Sequence, residues 1–222
     1  GEEEDYWDEL AVGINFNTVG GIIGGVAFRY SNKVTNTSFR NIALEINEIK
    51  HSKENRVAGY TGQPYIYAKK NHLFCVRPQY GREFTLFNKN PKDGVRLSAI
   101  LAGGPTLGFL KRYYIDYDFS DVNSSGSDIR SVPYDPVIHS DFGKVYGASS
   151  FFNGFDDLRL TMGLHAKIAA NFEFGKSKKT VTGVEAGFMF ETFAKTPELI
   201  EYYENSSVYT SVYLTLYYGL RW

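Results

Sequence analysis

Apolar and polar residues alternate one by one along several stretches of the chain, and this period of two predicts β-strands. The last stretch shows it most clearly. Between Val208 and Trp222, nearly all even-numbered residues are apolar or aromatic, while the odd-numbered ones are mostly polar, hydroxyl-bearing or small. The other alternating stretches are 10–18, 22–31, 39–49, 72–87, 95–117, 158–174 and 181–193. The pattern therefore predicts eight strands and no helix.

The lengths of the strands and of their connections favour a membrane barrel. Most stretches reach the roughly 9–11 residues of a transmembrane β-strand. The short connections are 32–37, 88–94 and 175–179, and the long ones are 51–70, 118–156 and 195–206. Outer-membrane barrels have short periplasmic turns and longer extracellular loops. We predict an all-β, eight-stranded antiparallel transmembrane barrel over residues 8–222. Residues 1–7 form an acidic periplasmic tail, both termini are periplasmic and the long loops are extracellular. The first connection, Val19–Gly21, breaks this rule because it is a tight turn on the loop side.

Alternation alone does not say whether the apolar face meets lipid or lines the ligand cavity of a soluble, lipocalin-like barrel. Gly and Ala are frequent on the polar face, for example Gly13, Gly81 and Gly163, which suits a narrow lumen. Aromatic residues such as Tyr30 and Phe174 gather toward strand ends, where an interfacial girdle would lie. Both features favour lipid.

With the apolar face outward, seven cations and six anions point into the lumen. The cations are Arg29, Arg77, Arg96, Arg112, Arg159, Lys167 and Arg221, and the anions are Glu45, Glu83, Asp116, Glu173, Glu185 and Glu191. Charges removed from water need partners, so we expect them to pair. Because eight strands enclose only their own side chains or one small ligand, we expect a plugged barrel without porin activity.

Composition excludes several other classes. The net charge is −1, which argues against a nucleic-acid-binding protein. One cysteine, Cys75, excludes an internal disulfide framework and a Cys-rich zinc site. It falls on the lumen face, where we expect a buried, inert thiol. The run Glu2–Asp5 lacks the basic end and apolar core of a signal peptide. It predicts a solvated tail or, alternatively, a docking peptide for a basic partner.

Several stretches resemble small, mostly uncharacterised outer-membrane barrels of Bacteroidota. They are Asn17–Gly21, Ala27–Lys33, Glu48–Glu54, Gly94–Leu97 and Gly103–Lys111. The last ten residues, Tyr213–Trp222, resemble the C-terminal signal by which such barrels are recognised for insertion. Where that family tends to have a Trp near the first hairpin, this chain has Gly21–Ile23. The resemblance implies an outer-membrane barrel, and it implies as a candidate role an accessory subunit of a larger machine such as the barrel-assembly machinery.

Few residues offer catalytic chemistry. His165 points into the lumen, where we expect it to be hydrogen-bonded rather than to act as a base. His51 and His72, near Ser52 and Asn71, are candidates for a lipid-modifying enzyme, but strand parity points them to opposite faces.

The remaining candidate features are a possible metal site in the long loop and two prolines inside strands. The loop carries Asp121, Asp128, Asp135, His139 and Asp141. These side chains could hold Ca²⁺, but their spacing matches no EF-hand, and we expect a solvated polar loop. Pro78 and Pro105 lie inside strands, where proline cannot donate to the ladder, so a bulge or a local gap is expected.

We conclude from the sequence that no catalytic, cofactor-binding or metal-binding residue is present. The predicted function is a non-enzymatic structural or accessory subunit of an outer-membrane complex, for example in barrel assembly or export. Its partners are outer-membrane lipid and other outer-membrane proteins or lipoproteins, contacted through its loops or wall. The alternatives are a lipid-modifying barrel enzyme and a soluble lipocalin-like barrel.

Overall fold

The computed structural model describes residues 8–88, 94–120, 126–174 and 179–222. The predicted acidic tail, 1–7, and Asp121 lie outside the described residues. In chain order the strands are β1 (Asp8–Asn17), β2 (Gly21–Thr35), β3 (Ser38–Ile49), β4 (Arg56–Ala58), β5 (Pro64–Ile66), β6 (Asn71–Phe87), β7 (Arg96–Arg112), β8 (Tyr114–Asp118), β9 (Ile129–Pro133), β10 (Val145–Ala148), β11 (Arg159–Phe174), β12 (Thr180–Phe193) and β13 (Val208–Arg221). Within the described ranges, helical structure is limited to one 3-10 turn, Phe142–Lys144. A search of the same residues found no helix with the length and apolar character needed to span a membrane.

Eight strands close into one antiparallel barrel in the order β1-β13-β12-β11-β7-β6-β3-β2. The first and last strands pair directly, and Asp8 and Trp222 exchange two backbone hydrogen bonds of 3.2 Å. The eight strands coincide with the eight alternating stretches of the sequence, so the predicted fold class is confirmed. Stretch 95–117 was predicted as one strand, but it breaks at Tyr113 into β7 and β8.

The two faces of the barrel wall differ as the alternation predicts. Along β11, Leu164 and Ile168 project outward and are exposed, whereas His165, Lys167 and Asn171 project inward and are buried. A lipocalin-like barrel has the reverse arrangement, with apolar residues around an internal ligand cavity. The direction of these side chains therefore excludes that alternative.

Most of the buried lumen charges form one connected ion-pair chain. Lys167 Nζ lies 2.8 Å from carboxylate oxygens of both Glu45 and Glu185. Glu185 then meets Arg29 Nη1 at 3.0 Å, and Arg29 reaches Glu9 at 3.3 Å. The chain continues from Glu9 through Arg221, Glu173 and Arg96. A cavity beside Arg29 and Lys167 measures about 20 Å³, roughly the space of one water molecule. The described lumen is thus filled by its own side chains.

Arg77 and Glu191 make a second buried ion pair in the lumen. Arg77 Nε donates to Glu191 Oε1 at 2.7 Å. Thr106 Oγ1 donates to the same oxygen at 2.8 Å. The predicted pairing of buried charges is therefore seen here as well.

Three of the predicted lumen charges lie elsewhere, and one lumen charge was missed. Arg112 pairs with Asp157 at 2.8 Å, and both side chains are half exposed. Asp116 lies on β8, beyond the barrel, and accepts a hydrogen bond from Ser131. Arg159 is the first residue of β11 and donates to Asn71 Oδ1 at the rim. Asp116 lies beyond the barrel, whereas Arg112 and Arg159 are the terminal residues of β7 and β11, where side chains reach the exposed rim instead of the lumen. Glu9 was missed because the alternation was read only from Leu10 onward.

The two prolines inside strands produce the predicted gap. The β6–β7 ladder pairs Val76 with Leu107 and Tyr80 with Gly103, and between them Pro78 lies opposite Pro105. Both prolines lack the N–H that a ladder bond requires. The register is the same on both sides, so the strands contain a gap and no bulge at this point.

The lumen network makes a stability prediction. Glu185 accepts from Lys167, Arg29 and the Tyr213 hydroxyl, the last at 2.6 Å. Glu185→Gln leaves two buried cations short of a counter-charge, so we expect the free energy of unfolding to fall by about 3–5 kcal/mol. Urea titration of the refolded protein in detergent micelles measures it.

The matched control is Asp128→Asn, because Asp128 pairs with Arg130 on the surface. Exposed pairs contribute little, so the unfolding midpoint should stay within error. If both substitutions lowered the free energy of unfolding by the same small amount, this result would contradict a stabilising role of the lumen network.

Candidate functional site

The three long connections pack together into one unit at one end of the barrel. We call the described parts of residues 51–70, 113–157 and 195–206 the loop head. It contains a hairpin of β4 and β5 and a three-stranded sheet in the order β10-β8-β9. Its core residues are Tyr65, Tyr113, Ile115, Tyr117, Tyr134 and Val145. The expectation of a solvated loop at 118–156 is therefore wrong for its described part, because short strands rich in Tyr, Ile and Val bury one face against each other.

Buried tyrosines tie the hairpin to the rest of the loop head. The Tyr113 hydroxyl accepts a hydrogen bond from the Ile66 amide at 2.9 Å. Burial raises the pKa of Tyr113 to about 12, so its hydroxyl stays protonated at physiological pH. Tyr134 packs edge-on against both Tyr65 and Tyr113. The loop head thus has a core of its own, separate from the lumen.

An apolar layer separates the loop head from the lumen. Ile49, Leu73, Phe193 and Leu199 are buried together at the loop end of the barrel. Leu199 comes from the 195–206 connection, and its carbonyl accepts from the amide of Lys70 at 2.8 Å. The 195–206 connection is thereby fixed across the mouth of the barrel.

Three aromatic rings from three connections form a row on the loop head, in which a half-buried ring lies between two exposed ones. Tyr67 lies in the middle, 5.6 Å from Phe142 and 6.4 Å from Tyr202 between ring centroids. Phe142 is 57% exposed and Tyr202 is 58% exposed. We call these three rings the aromatic platform. Rings of this size, exposed and held side by side, are typical anchors of protein interfaces.

The backbone beside the aromatic platform is strained. In the described ranges, the non-glycine residues with positive φ are Ala68 at 58° and Tyr202 at 63°. The two are neighbours in space, because the Glu201 amide donates to the Ala68 carbonyl at 2.7 Å. Such a conformation costs roughly 1–2 kcal/mol per residue. Strained backbone concentrates at functional sites, so this coincidence marks the aromatic platform as a candidate site.

The two candidate enzyme histidines bond to different partners. His51 Nε2 lies 3.1 Å from the Glu204 carbonyl oxygen in the loop head. His72 Nδ1 lies 2.7 Å from a Glu48 carboxylate oxygen on the outside of the wall. Within the described part of the chain, neither ring forms a hydrogen bond with a hydroxyl group, as activation of a nucleophile would require.

The two inward candidates lie where the sequence predicted. His165 Nδ1 is 3.1 Å from Thr106 Oγ1. This confirms a hydrogen-bonded interior histidine. Cys75 is a free, fully buried thiol packed against Ile49 and Leu73.

The acidic candidates of the long loop that the structure describes each bond to a group close by in the sequence. Asp128 forms a fork with Arg130, and Asp135 accepts from the Val137 amide. Asp141 accepts from the Gly143 amide at 3.0 Å and begins the 3-10 turn. His139 Nδ1 accepts from the amide of Asp135. A search of the described ranges finds no group of three His, Cys, Asp or Glu side chains that could hold a metal ion.

Comparison with known proteins finds similarity of fold only. No protein-family model and no curated protein sequence matches the chain. Solved structures that align with it include Ail, the attachment invasion locus protein of Yersinia pestis, with a TM-score of 0.44 and 10% identity over 98% of this chain and 99% of that one. Neisserial surface protein A aligns with a TM-score of 0.40 and 9% identity over 98% and 97%. The N-terminal β-barrel domain of Pseudomonas aeruginosa OprF gives 0.36 and 9% over 98% and 100%. Values this low carry no information on activity, and the closed strand ladder itself establishes the barrel.

The buried His139 makes the loop head sensitive to pH. Its ring packs on Tyr117 and Tyr134, and burial lowers its pKa. The unfolded loop head therefore binds a proton more readily, so its stability is full above the ordinary histidine pKa of about 6.5 and falls as the pH drops below it. We expect amide exchange in residues 129–148, corrected for intrinsic rates, to accelerate between about pH 7.5 and 5.5.

His139→Phe keeps an aromatic ring but cannot be protonated, so it should flatten this pH dependence. His51→Gln, which changes an exposed ring, should leave the dependence intact. A wild-type profile that is flat across this window would refute the assignment.

Proposed function

We propose that the protein is a non-enzymatic outer-membrane barrel whose loop head binds a partner protein, as an accessory subunit of a larger outer-membrane complex such as an assembly or export machine. The aromatic platform, exposed and held on strained backbone, carries this proposal. The proposal specifies the partner as another outer-membrane protein or lipoprotein.

The wall supports the membrane placement. Apolar side chains cover the outside of all eight barrel strands, among them Leu10, Ile42, Leu101, Phe188 and Leu216, and each is exposed. Apolar surface of this extent is unfavourable in water and favourable against acyl chains. The long connections then face the outside of the cell and the short turns face the periplasm, in the usual outer-membrane orientation.

The lumen argues against transport as the function. The ion pairs from Glu45 to Arg96 cross the described interior, and the apolar layer of Leu73, Phe193 and Leu199 lies above them. A solute would have to break buried ion pairs to pass, which is energetically costly. The outer surface is therefore the part of the molecule available for function.

The aromatic platform suits a protein partner. Its Phe142 and Tyr202 rings are exposed. The nearby acidic residues are already engaged, because Glu201 and Glu198 both pair with Lys70. Aromatic anchors surrounded by satisfied polar groups are typical of interface hot spots. Since three separate connections supply the rings, binding depends on the folded loop head rather than on one flexible loop.

Fractionation tests the membrane placement. Cells expressing the chain should retain it in the outer-membrane fraction after high-salt and alkaline washing, because acyl chains cover its wall. Recovery of a folded barrel in the aqueous phase without detergent would contradict the proposal.

Quantitative co-purification in mild detergent tests the partner site. Tyr202→Gly removes one platform ring and also relieves the positive-φ strain, so the loop head should remain folded. Loss of a hot-spot ring costs about 2 kcal/mol, so capture of the same partner should fall at least about tenfold. Phe142→Ala should act in the same direction.

The matched control is Tyr60→Ala, because Tyr60 is an exposed ring on the loop head outside the aromatic platform. It should retain the partner at wild-type level. The proposal would be contradicted if the wild-type chain always purified as a free monomer. It would also be contradicted if both platform variants retained the partner.

A further inference from the structure

One lysine on the outside of the barrel wall is almost completely buried. Lys111 lies near the end of β7 and pairs across the ladder with His72, another outward residue. It follows the outward parity of Leu107 and Phe109, yet it is only 2% exposed. Something outside the wall must therefore cover it.

The cover is the segment Ser150–Phe155, which follows β10. Lys111 Nζ donates to the carbonyl oxygens of Phe151 at 2.8 Å and Asn153 at 2.9 Å. The same ammonium lies 4.8 Å from the centroid of the Phe151 ring and 5.2 Å from that of Phe155. The segment's polar backbone is thus turned toward the wall and its phenyl rings surround the cation.

This segment lies beside the barrel rather than over its mouth. Phe151 packs edge-on against Phe74 at 5.9 Å, and Phe74 is an outward residue of β6. Gly154 allows the tight turn, with φ at +88° and the ring of Tyr114 only 2.8 Å from where a Cβ would lie. Any other residue there would be strained, so the turn back along the wall depends on this glycine.

Phe151 and Phe155, which lie against Lys111, and their neighbour Phe152 are all exposed. Phe152 is 78% exposed, and Phe151 and Phe155 are each about half exposed. The exposed Leu160 on β11 lies across the ladder from Phe109, so the apolar surface continues from the segment onto the wall. Three phenyl rings within five residues, without a polar tip among them, are unfavourable in water.

We infer that Ser150–Phe155 is a membrane-docking foot, which inserts Phe151, Phe152 and Phe155 into the headgroup–acyl boundary of the leaflet next to the loop head. The inference rests on the proposed membrane placement and adds the lipid surface as the ligand of this segment. The foot lies at the loop end of β6 and β7, and its apolar surface is continuous with the lipid-facing wall. This continuity identifies membrane lipid as the ligand of the foot. Interfacial aromatic residues of barrels come from strand ends, whereas this foot is a loop tied down by Lys111.

Tryptophan quenching by lipid tests the foot. Three single-tryptophan proteins are prepared: Trp222 alone (Trp7→Phe), Phe152→Trp without both native tryptophans (Trp7→Phe, Trp222→Phe), and Tyr60→Trp in that same background. Each is reconstituted in phosphatidylcholine vesicles that carry bromine near the headgroup end of one acyl chain. We expect strong quenching and blue-shifted emission for the residues at 152 and 222, and neither for the residue at 60.

The outcomes separate the foot from the membrane barrel. Quenching at 222 without quenching at 152 overturns the foot and leaves the barrel in the membrane. Absence of quenching at both positions overturns the membrane placement and the foot together. Equal quenching at 60 and 152 also overturns the foot, because the segment would then be no deeper than the top of the loop head. Phe155→Trp provides a second position if Phe152→Trp fails to fold.

Lys111→Met tests how the foot is held. Methionine fills much of the same volume but leaves the carbonyls of Phe151 and Asn153 without their donor. We expect quenching at 152 to fall by about half or more while quenching at 222 is unchanged. Unchanged quenching at both positions would overturn the role of Lys111 as the anchor of the foot.

Discussion

Pairing of charge inside a narrow barrel is the constraint on which the rest of the structure depends. Eight strands enclose little more than their own side chains, so every inward Lys, Arg or Glu needs a partner within the lumen. The chain of contacts from Glu45 through Lys167, Glu185, Arg29 and Glu9 meets that requirement. With the charges paired inside, the outward positions are free to be apolar, and the wall suits lipid rather than water.

The same crowding explains the small residues on the inner face. Gly183 lies directly under the Tyr217 ring, and a Cβ at that position would overlap the Tyr217 hydroxyl. That hydroxyl is needed, because it donates to Asn171 at 2.8 Å. Glycine at this position therefore makes room for a large side chain on the neighbouring strand, rather than adding flexibility.

Because the lumen is filled, the functional contacts are expected on the outer surface, and the connections at the two ends of the barrel differ in length. The described short connection between β2 and β3 is a turn of residues 36 and 37, whereas the long connections build a loop head with its own tyrosine core. The aromatic platform lies on the loop head and the foot lies along the wall. A head held against the leaflet on the side of β6 and β7 would present its platform in a fixed orientation, which favours binding by reducing the entropy lost on association.

Parity predicted the barrel well and the loop head poorly, for a physical reason. A strand in a barrel wall alternates over ten or more residues, so the eight strands and the inward positions of Arg77, Lys167 and Glu185 could be read from the sequence. Parity does not tell how deep a residue lies in the barrel, which is why Arg112 and Arg159, at the ends of β7 and β11, were placed in the lumen although they lie at the exposed rim. The strands of the loop head are only 3–5 residues long, too short for a period to be recognised. The aromatic platform depends on contacts between three connections that are distant in the sequence, and no local pattern encodes these contacts. The phenylalanine cluster at 151–155 is visible in the sequence, but the alternation of apolar and polar residues does not explain it.

Nuclear Overhauser contacts between lipid chains and the protein, measured in lipid nanodiscs, test the central claim most directly. The account predicts contacts from acyl methylene protons to the outward residues of β11, Leu164, Ile168 and Phe172, and none to the inward His165 and Ala169. Contacts to His165 and Ala169, or none to the three outward residues, would contradict a barrel with paired charge inside and lipid outside.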